Sequence, residues 1–324
     1  MQKIIKSIVP VSFIFLLAFL PILQPPAYFL SFIFKVFLYI ILAESWNLIG
    51  GFTGYLSFGH VAFFGIGVYT SAMLFQHFGL SPFIGAIPSG LLSSAAAWII
   101  GYPCLKLRGP YFAVVTLCFV FIIDLVVKNW TFLGGSEGIH LKLLPMDIQL
   151  SRSIFYETFL GLAVASVLVA RWVQHTKFGL GLASIREDEE VAQTLCIHTA
   201  DLKIKAFILS AFIPGVAGGI YAYYISYIHP DIVFDINISI LIVLMALFGG
   251  GGSWAGPLVG AVFLSIVNEF LSIFIRPEFA RIIYGAMFIA VIIFMPDGIV
   301  TFFKKWMGIR KIQHSYTSPV DKEK

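Results

Sequence analysis

Apolar runs long enough to cross a lipid bilayer follow one another along almost the whole chain, separated by short polar or glycine- and proline-rich breaks. Ten can be read, at approximately 7–24, 29–49, 58–77, 82–101, 110–127, 154–172, 205–226, 236–250, 256–275 and 280–298. A helix rises about 1.5 Å per residue, so roughly 20 residues cover the ~30 Å hydrocarbon while every backbone polar group is satisfied internally. The pattern predicts an all-α polytopic membrane protein of about ten transmembrane helices, one domain over 1–324 with its membrane-embedded bundle at 7–303. Pro10, Pro21, Pro25 and Pro26 interrupt and follow the first run, and no small-residue cleavage site is evident. It reads as a first span and not as a signal peptide.

The apolar pattern fails between the sixth and seventh runs. From Arg171 to Lys205 lie 10 of the chain's 21 basic and 17 acidic side chains. Such a segment cannot sit in lipid, so 173–204 is predicted as a loop outside it. Ser184 and Glu187 have the S-x-x-E spacing of a capping box, in which each side chain accepts an orphan backbone N–H at a helix start. Acids in a first turn also suit the positive end of the helix dipole. The expectation is one short, exposed helix between two spans, shaped as a handle for a soluble partner.

Composition supports the membrane reading: 59% of residues are hydrophobic, 12% are charged and the mean hydropathy is +0.93. Soluble domains carry about 25% charge. Cytoplasmic loops retain Lys and Arg, and placing both termini in the cytoplasm puts 15 basic residues inside and five outside (Lys128, Lys142, Arg152, Arg276 and Arg281), with Lys35 inside a span. On this reading 304–324 is a cytoplasmic tail and the ionic helix is cytoplasmic. The net charge of +4 is then a product of topology and implies membrane lipid, not nucleic acid, as surroundings. Cys104, Cys118 and Cys196 have no paired spacing, so neither a disulfide framework nor a metal site is indicated.

No G-x-x-x-x-G-K-[ST] loop occurs, and Gly249-Gly250-Gly251-Gly252 lacks a following lysine, so no nucleotide phosphate is cradled by that route. If ATP drives this chain, another chain binds it. H-E-x-x-H is also absent. The enzyme reading therefore gains nothing, and no catalytic or cofactor-binding residue is assigned.

Two glycine-rich segments fall on the same predicted side: Gly50 through His60, and Gly249 through Pro257. Glycine allows close helix contact or a non-helical backbone beside a cavity. Gly65 and Gly67 read as packing residues, while 50–60 fits either packing or a broken helix by a pathway. Two such breaks suggest a pair of bends around a central path.

Ionisable groups within spans are functional candidates by default, and Glu44, His60, Asp124 and Glu269 lie in or beside spans, as does Asn47. Asp124 has an i,i+4 partner in Lys128. Lys35, nine residues before Glu44, is expected to snorkel outward. Glu269 lacks a basic neighbour in sequence and reads as bonded to another helix. Asn47 and His60 flank the first glycine-rich break and are expected to satisfy its freed backbone groups.

The ordered set of motifs resembles the permease subunits of the branched-chain amino-acid class of bacterial ABC importers, over about residues 38–300. The resemblance is carried by Trp46-Asn47-Leu48 with Gly51 and Gly54, Leu56-Ser57-Phe58-Gly59-His60, and Arg108-Gly109-Pro110-Tyr111-Phe112-Ala113 with Thr116-Leu117. It continues through Gly134-Gly135-Ser136-Glu137-Gly138, Phe178-Gly179, Ile185-Arg186-Glu187-Asp188-Glu189, Gly215-Val216-Ala217-Gly218, Gly252-Ser253, Gly256-Pro257 and Pro296-Asp297-Gly298-Ile299.

The resemblance implies a multi-pass protein of the bacterial inner membrane with four kinds of association: a second permease subunit, two ABC ATPase subunits, an extracytoplasmic substrate-binding protein, and lipid. ATP and Mg would be held by the ATPases and no cofactor by this chain. It also implies a coupling helix within 173–204 with the pattern E-A-A-x-x-x-G. Here that pattern reads Glu190-Val191-Ala192-Gln193-Thr194-Leu195-Cys196, with valine at an alanine position and cysteine in place of glycine.

Arg186, Glu187, Asp188, Glu190, Val191, Ala192 and Leu195 are the expected ATPase-coupling residues, with Val191, Ala192 and Leu195 on one side of the helix. Asn47, Gly54, Ser57, His60, Tyr111, Thr116, Gly250 and Glu269 are the expected residues of the translocation path or its helix breaks. The implied cargo is a branched-chain amino acid, and related importers carry urea or short amides. A stand-alone secondary transporter or channel would need a coupling-ion site, which Glu44, Asp124 and Glu269 do not visibly form.

Overall fold

The computed structural model describes residues 16–23, 25–107, 109–142, 147–274, 277–294 and 298–299. Continuous apolar runs become helices: α1 (Ala27–Thr53), α2 (His60–Phe78), α3 (Pro82–Cys104), α4 (Pro110–Asn129) and α5 (Ile148–His175). The ionic stretch forms α6 (Lys177–Glu187) and α7 (Glu189–Thr194). There follow α8 (Thr199–Ile225), the short α9 (Pro230–Val233), α10 (Ile236–Gly249), α11 (Ala255–Phe274) and α12 (Pro277–Phe294). Eight helices among the described residues are long and apolar enough to cross a membrane, Pro230–Gly249 being counted as one. Most of the first expected span, 7–24, and the tail 304–324 lie outside the described residues, and 16–23 ends in a 3-10 turn at Leu20–Leu23.

Small residues let the central helices approach closely, the usual basis of helix contact where lipid is as apolar as leucine. The largest contacts join α8 to α3 and α2. A Cβ on Gly67 would lie 2.1 Å from the Gly215 carbonyl oxygen, and one on Gly215 would lie 2.4 Å from Ser93 Oγ. Ser93 donates to the Phe63 carbonyl at 2.8 Å. Gly65 is likewise a packing residue, covered by the Phe234 ring. Gly215→Leu is expected to cut the yield of folded protein and to lower its thermal midpoint in detergent, since overpacking of this kind costs about 1–3 kcal/mol. A midpoint equal to wild type would show that the α3–α8 seam is loose.

Helix α1 is the hub, packing on α5, α8, α10 and α11. Its buried positions from Phe34 to Thr53 include nearly every residue, which explains why that run shows continuous apolarity and no single polar face. The connections collect at two ends. One holds 54–59, 105–107, the α6–α7 pair and 250–254; the other holds 130–142 and 226–235.

At the second end β1 (Ile139–His140) pairs antiparallel with β2 (Tyr227–Ile228). Lys128 bridges Asp124 at 2.7 Å, the i,i+4 pair expected, and also Asp231 at 2.5 Å, so α4 is tied to α9 as well.

Candidate functional site

The ionic end is built differently from the single handle expected. Thr176 starts α6, its Oγ1 accepting from Gly179 N at 3.4 Å. Ser184 lies inside that helix and donates to the Leu180 carbonyl at 3.0 Å, so Ser184 and Glu187 form no capping box. An S-x-x-E spacing also fits a helix interior, where serine bonds back to the preceding turn. Asp188 provides the second start: extended at φ −160, it accepts from Glu190 N at 2.8 Å and Val191 N at 3.0 Å. Two acids, Glu189 and Glu190, fill the first turn of α7.

Helix α7 closes in a Schellman turn, with Ile197 N bonding the Ala192 carbonyl at 3.1 Å and Cys196 N bonding that of Gln193 at 3.0 Å. Cys196 takes φ 59. This is the position where the resembled pattern has glycine, so the turn keeps its shape with a side chain in a left-handed conformation that costs about 1–2 kcal/mol. Cys196→Gly is expected to leave the fold intact and raise the thermal midpoint slightly. The gain is limited because glycine also frees the unfolded chain. A lowered midpoint would mean that the cysteine side chain itself holds the turn.

Successive residues of α7 are turned by about 100°, which separates two faces. Val191 is 53% exposed and Leu195 69%, whereas Ala192 is 1% exposed and packs inward. Ala192 therefore belongs to the base and not, as expected, to the outer apolar face. Glu187, Asp188 and Glu190 are exposed. Arg186 is turned back onto the bundle, donating to the carbonyls of Gly51 at 2.8 Å and Gly251 at 3.1 Å.

Beneath α7 lies a polar cluster that sequence reasoning missed. Lys203 of α8, with its side chain 5% exposed, donates to Glu189 Oε1 at 2.6 Å, Tyr55 OH at 3.0 Å and the Leu105 carbonyl at 2.9 Å. Tyr55 OH donates to Glu189 Oε2 at 2.5 Å. Gln193 Nε2 donates to Thr199 Oγ1 at 3.0 Å, closing the cluster along α7. The available signal was a lysine beside an otherwise apolar run, which a count of charges alone treats as topology.

The first glycine segment breaks over fewer residues than its composition suggests. Helix α1 continues through Gly50 and Gly51 to Thr53 and stops at Gly54, φ 78. The extended stretch that follows is satisfied from three helices. Trp46 Nε1 donates to the Ser57 carbonyl at 2.7 Å, Phe58 N donates to Thr116 Oγ1 at 3.1 Å, and Ser239 Oγ donates to the Phe58 carbonyl at 2.8 Å. Ser57 Oγ accepts from Gly59 N at 3.3 Å.

Asn47 and His60 do not serve this break as expected. Asn47 reaches the other one, accepting from Gly252 N at 2.9 Å and donating to the Ser253 carbonyl at 3.1 Å. His60 is buried, and among the described residues neither of its ring nitrogens nor the fully buried Glu44 carboxylate has a hydrogen-bond partner.

The two breaks touch. A Cβ on Gly251 would lie 3.2 Å from Gly51 Cα, and one on Gly252 would lie 2.3 Å from Arg186 Nη1. Rather than bending around an opening between them, they form one junction held by Asn47 and Arg186. Gln174 Oε1, from the last turn of α5, accepts from Trp254 N at 3.0 Å, and Arg171 lies 5.5 Å over the Trp254 ring.

Of the expected path residues, Asn47, Gly54, Ser57, His60, Thr116 and Gly250 gather at this end. Tyr111 is also at this end, in the first turn of α4, but is turned away from them, and Glu269 does not join them. Tyr111 is 72% exposed on the outside of α4. Glu269 is 13 residues beyond Gly256 on α11, about 20 Å along the helix. It accepts from Tyr28 OH at 2.5 Å, and its Oε2 lies 3.6 Å from Lys35 Nζ. Lys35 thus has a cross-helix acid and is not simply extended toward the headgroups. It was missed because the pairing joins helices 234 residues apart in sequence. Beside it, Tyr284 OH donates to Asn268 Oδ1.

A bundle of membrane-length helices, with a short ionic helix pair at one end that exposes Val191 and Leu195, defines a multi-pass membrane protein. Residues 28–292 match the family described as the branched-chain amino acid transport system permease component. The high-affinity branched-chain amino acid transport system permease protein LivM of Salmonella typhimurium is 30% identical over 291 residues, covering 81% of this chain and 68% of that protein. LivM of Escherichia coli K12 is 30% identical over 295 residues, with the same shares. LivH of Salmonella typhimurium is 22% identical over 292 residues, covering 81% of this chain and 91% of its own. No solved structure matches. The chain belongs to the family of branched-chain amino acid ABC transport permeases.

Proposed function

We propose that this chain is the transmembrane permease subunit of an ATP-driven importer, forming with a second permease the path for branched-chain aliphatic amino acids across the bacterial inner membrane. The observation that carries the reading is the outer face of α7. Val191 and Leu195 are exposed apolar side chains on a capped helix outside the membrane-length runs, in a chain of this family.

Such a face fits a groove on an ATPase subunit. Two ATPases would bind ATP and Mg, and closure of the pair would drive the two coupling helices together and switch which side of the path is open. The segment 173–204 is then the cytoplasmic coupling loop, both termini are cytoplasmic, and the spans number about ten. The opposite end, with its 130–142 and 226–235 segments, would meet an extracytoplasmic substrate-binding protein. LivM and LivH are both relatives, which supports a pair of different permeases.

Vesicles holding this chain, its partner permease and the ATPases, supplied with binding protein, are expected to take up leucine only with ATP. Uptake of urea or a short amide but not leucine would move the chain to a related importer. Uptake by this chain alone would replace the importer reading with a stand-alone transporter.

Orientation is tested by thiol labelling of intact cells. With Cys104 and Cys118 replaced by serine, the exposed native Cys196 is expected to escape a membrane-impermeant reagent. In a background also lacking Cys196, Ser136→Cys is expected to react. Labelling of Cys196 from outside would turn α7 away from any cytoplasmic ATPase.

A further inference from the structure

The cluster under α7 has a geometry that goes beyond holding a loop in place. Lys203 is the fifth residue of α8, its side chain is 5% exposed, and it is fixed by acceptors from three other segments. Glu189 belongs to α7. Tyr55 belongs to the extended stretch between Gly54 and His60. The Leu105 carbonyl belongs to the residue that caps α3. A buried cation needs every one of these partners, because each lost acceptor leaves charge uncompensated away from water.

A second link runs in parallel: Arg186, at the end of α6, bonds Gly51 at the end of α1 and Gly251 in the 250–254 turn. Between them the two cations tie the α6–α7 pair to each of the other connections at this end of the bundle. On its inner side α7 rests on the bundle through the buried Ala192, with the buried Thr199 of α8 beside it.

We propose that Lys203 is the positioning residue for coupling: it fastens the base of α7 to the α1–α2 break, to the end of α3 and to α8, so that a displacement of α7 reaches these elements together. This rests on the reading of α7 as the ATPase-docking helix. Lys203 acts through the groups it holds, Glu189, Tyr55 and the Leu105 carbonyl. Its role is to set where Glu189 and Tyr55 stand relative to one another. Without it, α7 would still present Val191 and Leu195 to an ATPase but would move without carrying the 54–59 stretch.

The test uses the complete importer, this chain with its partner permease, both ATPases and binding protein, reconstituted in vesicles. The readout is leucine transported per ATP hydrolysed, normalised to assembled complex. Lys203→Met is expected to retain the ATPases on purification while that ratio falls at least tenfold, transport dropping far more than hydrolysis. Lys203→Arg, which keeps a cation with several donors, is expected to recover most of the ratio, and Tyr55→Phe to lower it by a few fold.

A purely structural role predicts less complex but an unchanged ratio for each complex that forms, and that result in Lys203→Met would overturn the proposal. If Lys203→Met does not assemble, Tyr55→Phe and Glu189→Gln decide the matter, and wild-type ratios in both would overturn it. Wild-type vesicles that transport without ATPases would remove the importer reading and the proposal with it. Wild-type coupling beside an insensitive ratio in the variants removes the proposal alone.

Discussion

The double variant Val191→Asp/Leu195→Asp is expected to lose its ATPase subunits on purification from detergent and to lose ATP-driven uptake, while its membrane insertion and thermal midpoint stay near wild type. The two side chains are exposed in the isolated chain, so the substitutions remove nothing from its core. They lie four residues apart, about 40° around the helix axis, and so form a single apolar patch. Once covered by a partner, each carboxylate would be stripped of water with no cation assigned to meet it. About 2 kcal/mol per position is a modest figure for a central interface site, and two such losses amount to roughly a thousandfold in affinity.

The neighbouring Ala192→Asp is the instructive contrast. Ala192 is buried in the base of α7, so this variant is expected to lower the midpoint as well as the ATPase recovery, through an unpaired buried charge. Retained ATPases and uptake in the Val191/Leu195 variant would show that the docking surface is elsewhere.

The membrane bundle was legible because continuous apolarity has only one physical reading at these lengths. The ionic end was legible in kind and not in detail. Ser184-x-x-Glu187 and Asp188 are both plausible starts, and the choice between them falls to Asp188, whose carboxylate accepts from two backbone N–H groups at once. The alanine in the Glu190–Cys196 pattern was grouped with its apolar neighbours, but a helix supported from one side needs a small residue facing its support.

Long-range pairs were the least legible. Nothing local distinguishes Lys203 from Lys205, yet the first is buried among three acceptors and the second is exposed. Trp46 and Ser239, which satisfy the extended backbone, sit in apolar runs where hydropathy averages conceal a single N–H or hydroxyl. Lys35 and Glu269 each looked isolated because their contact exists only after α1 and α11 have packed.

The glycine junction carries the other large expected effect. Gly252→Val is expected to abolish uptake and lower the yield of folded protein, because two penalties coincide there. The backbone is at φ 83, where a β-branched residue is strained by about 1–3 kcal/mol. The new Cβ would also lie 2.3 Å from Arg186 Nη1 and 3.0 Å from the Gly51 carbonyl oxygen, displacing the cation that joins α6 to both breaks.

Gly250→Val shares the first penalty in a worse form. Its φ 108 and ψ 95 fall outside the left-handed well that asparagine can occupy, so Gly250→Asn is expected to fail as well. Gly54 provides the control. At φ 78 and ψ 2 it is a helix-ending position that asparagine tolerates, and among the described residues the atom nearest a Cβ there is Arg186 Cγ at 3.4 Å. Gly54→Asn should therefore keep most uptake where Gly54→Val does not. Uptake in vesicles, measured beside the thermal midpoint of each purified complex, separates these cases. If Gly252→Val transported normally, Arg186 would not need its place between Gly51 and Gly251, and the two breaks would not act as one junction.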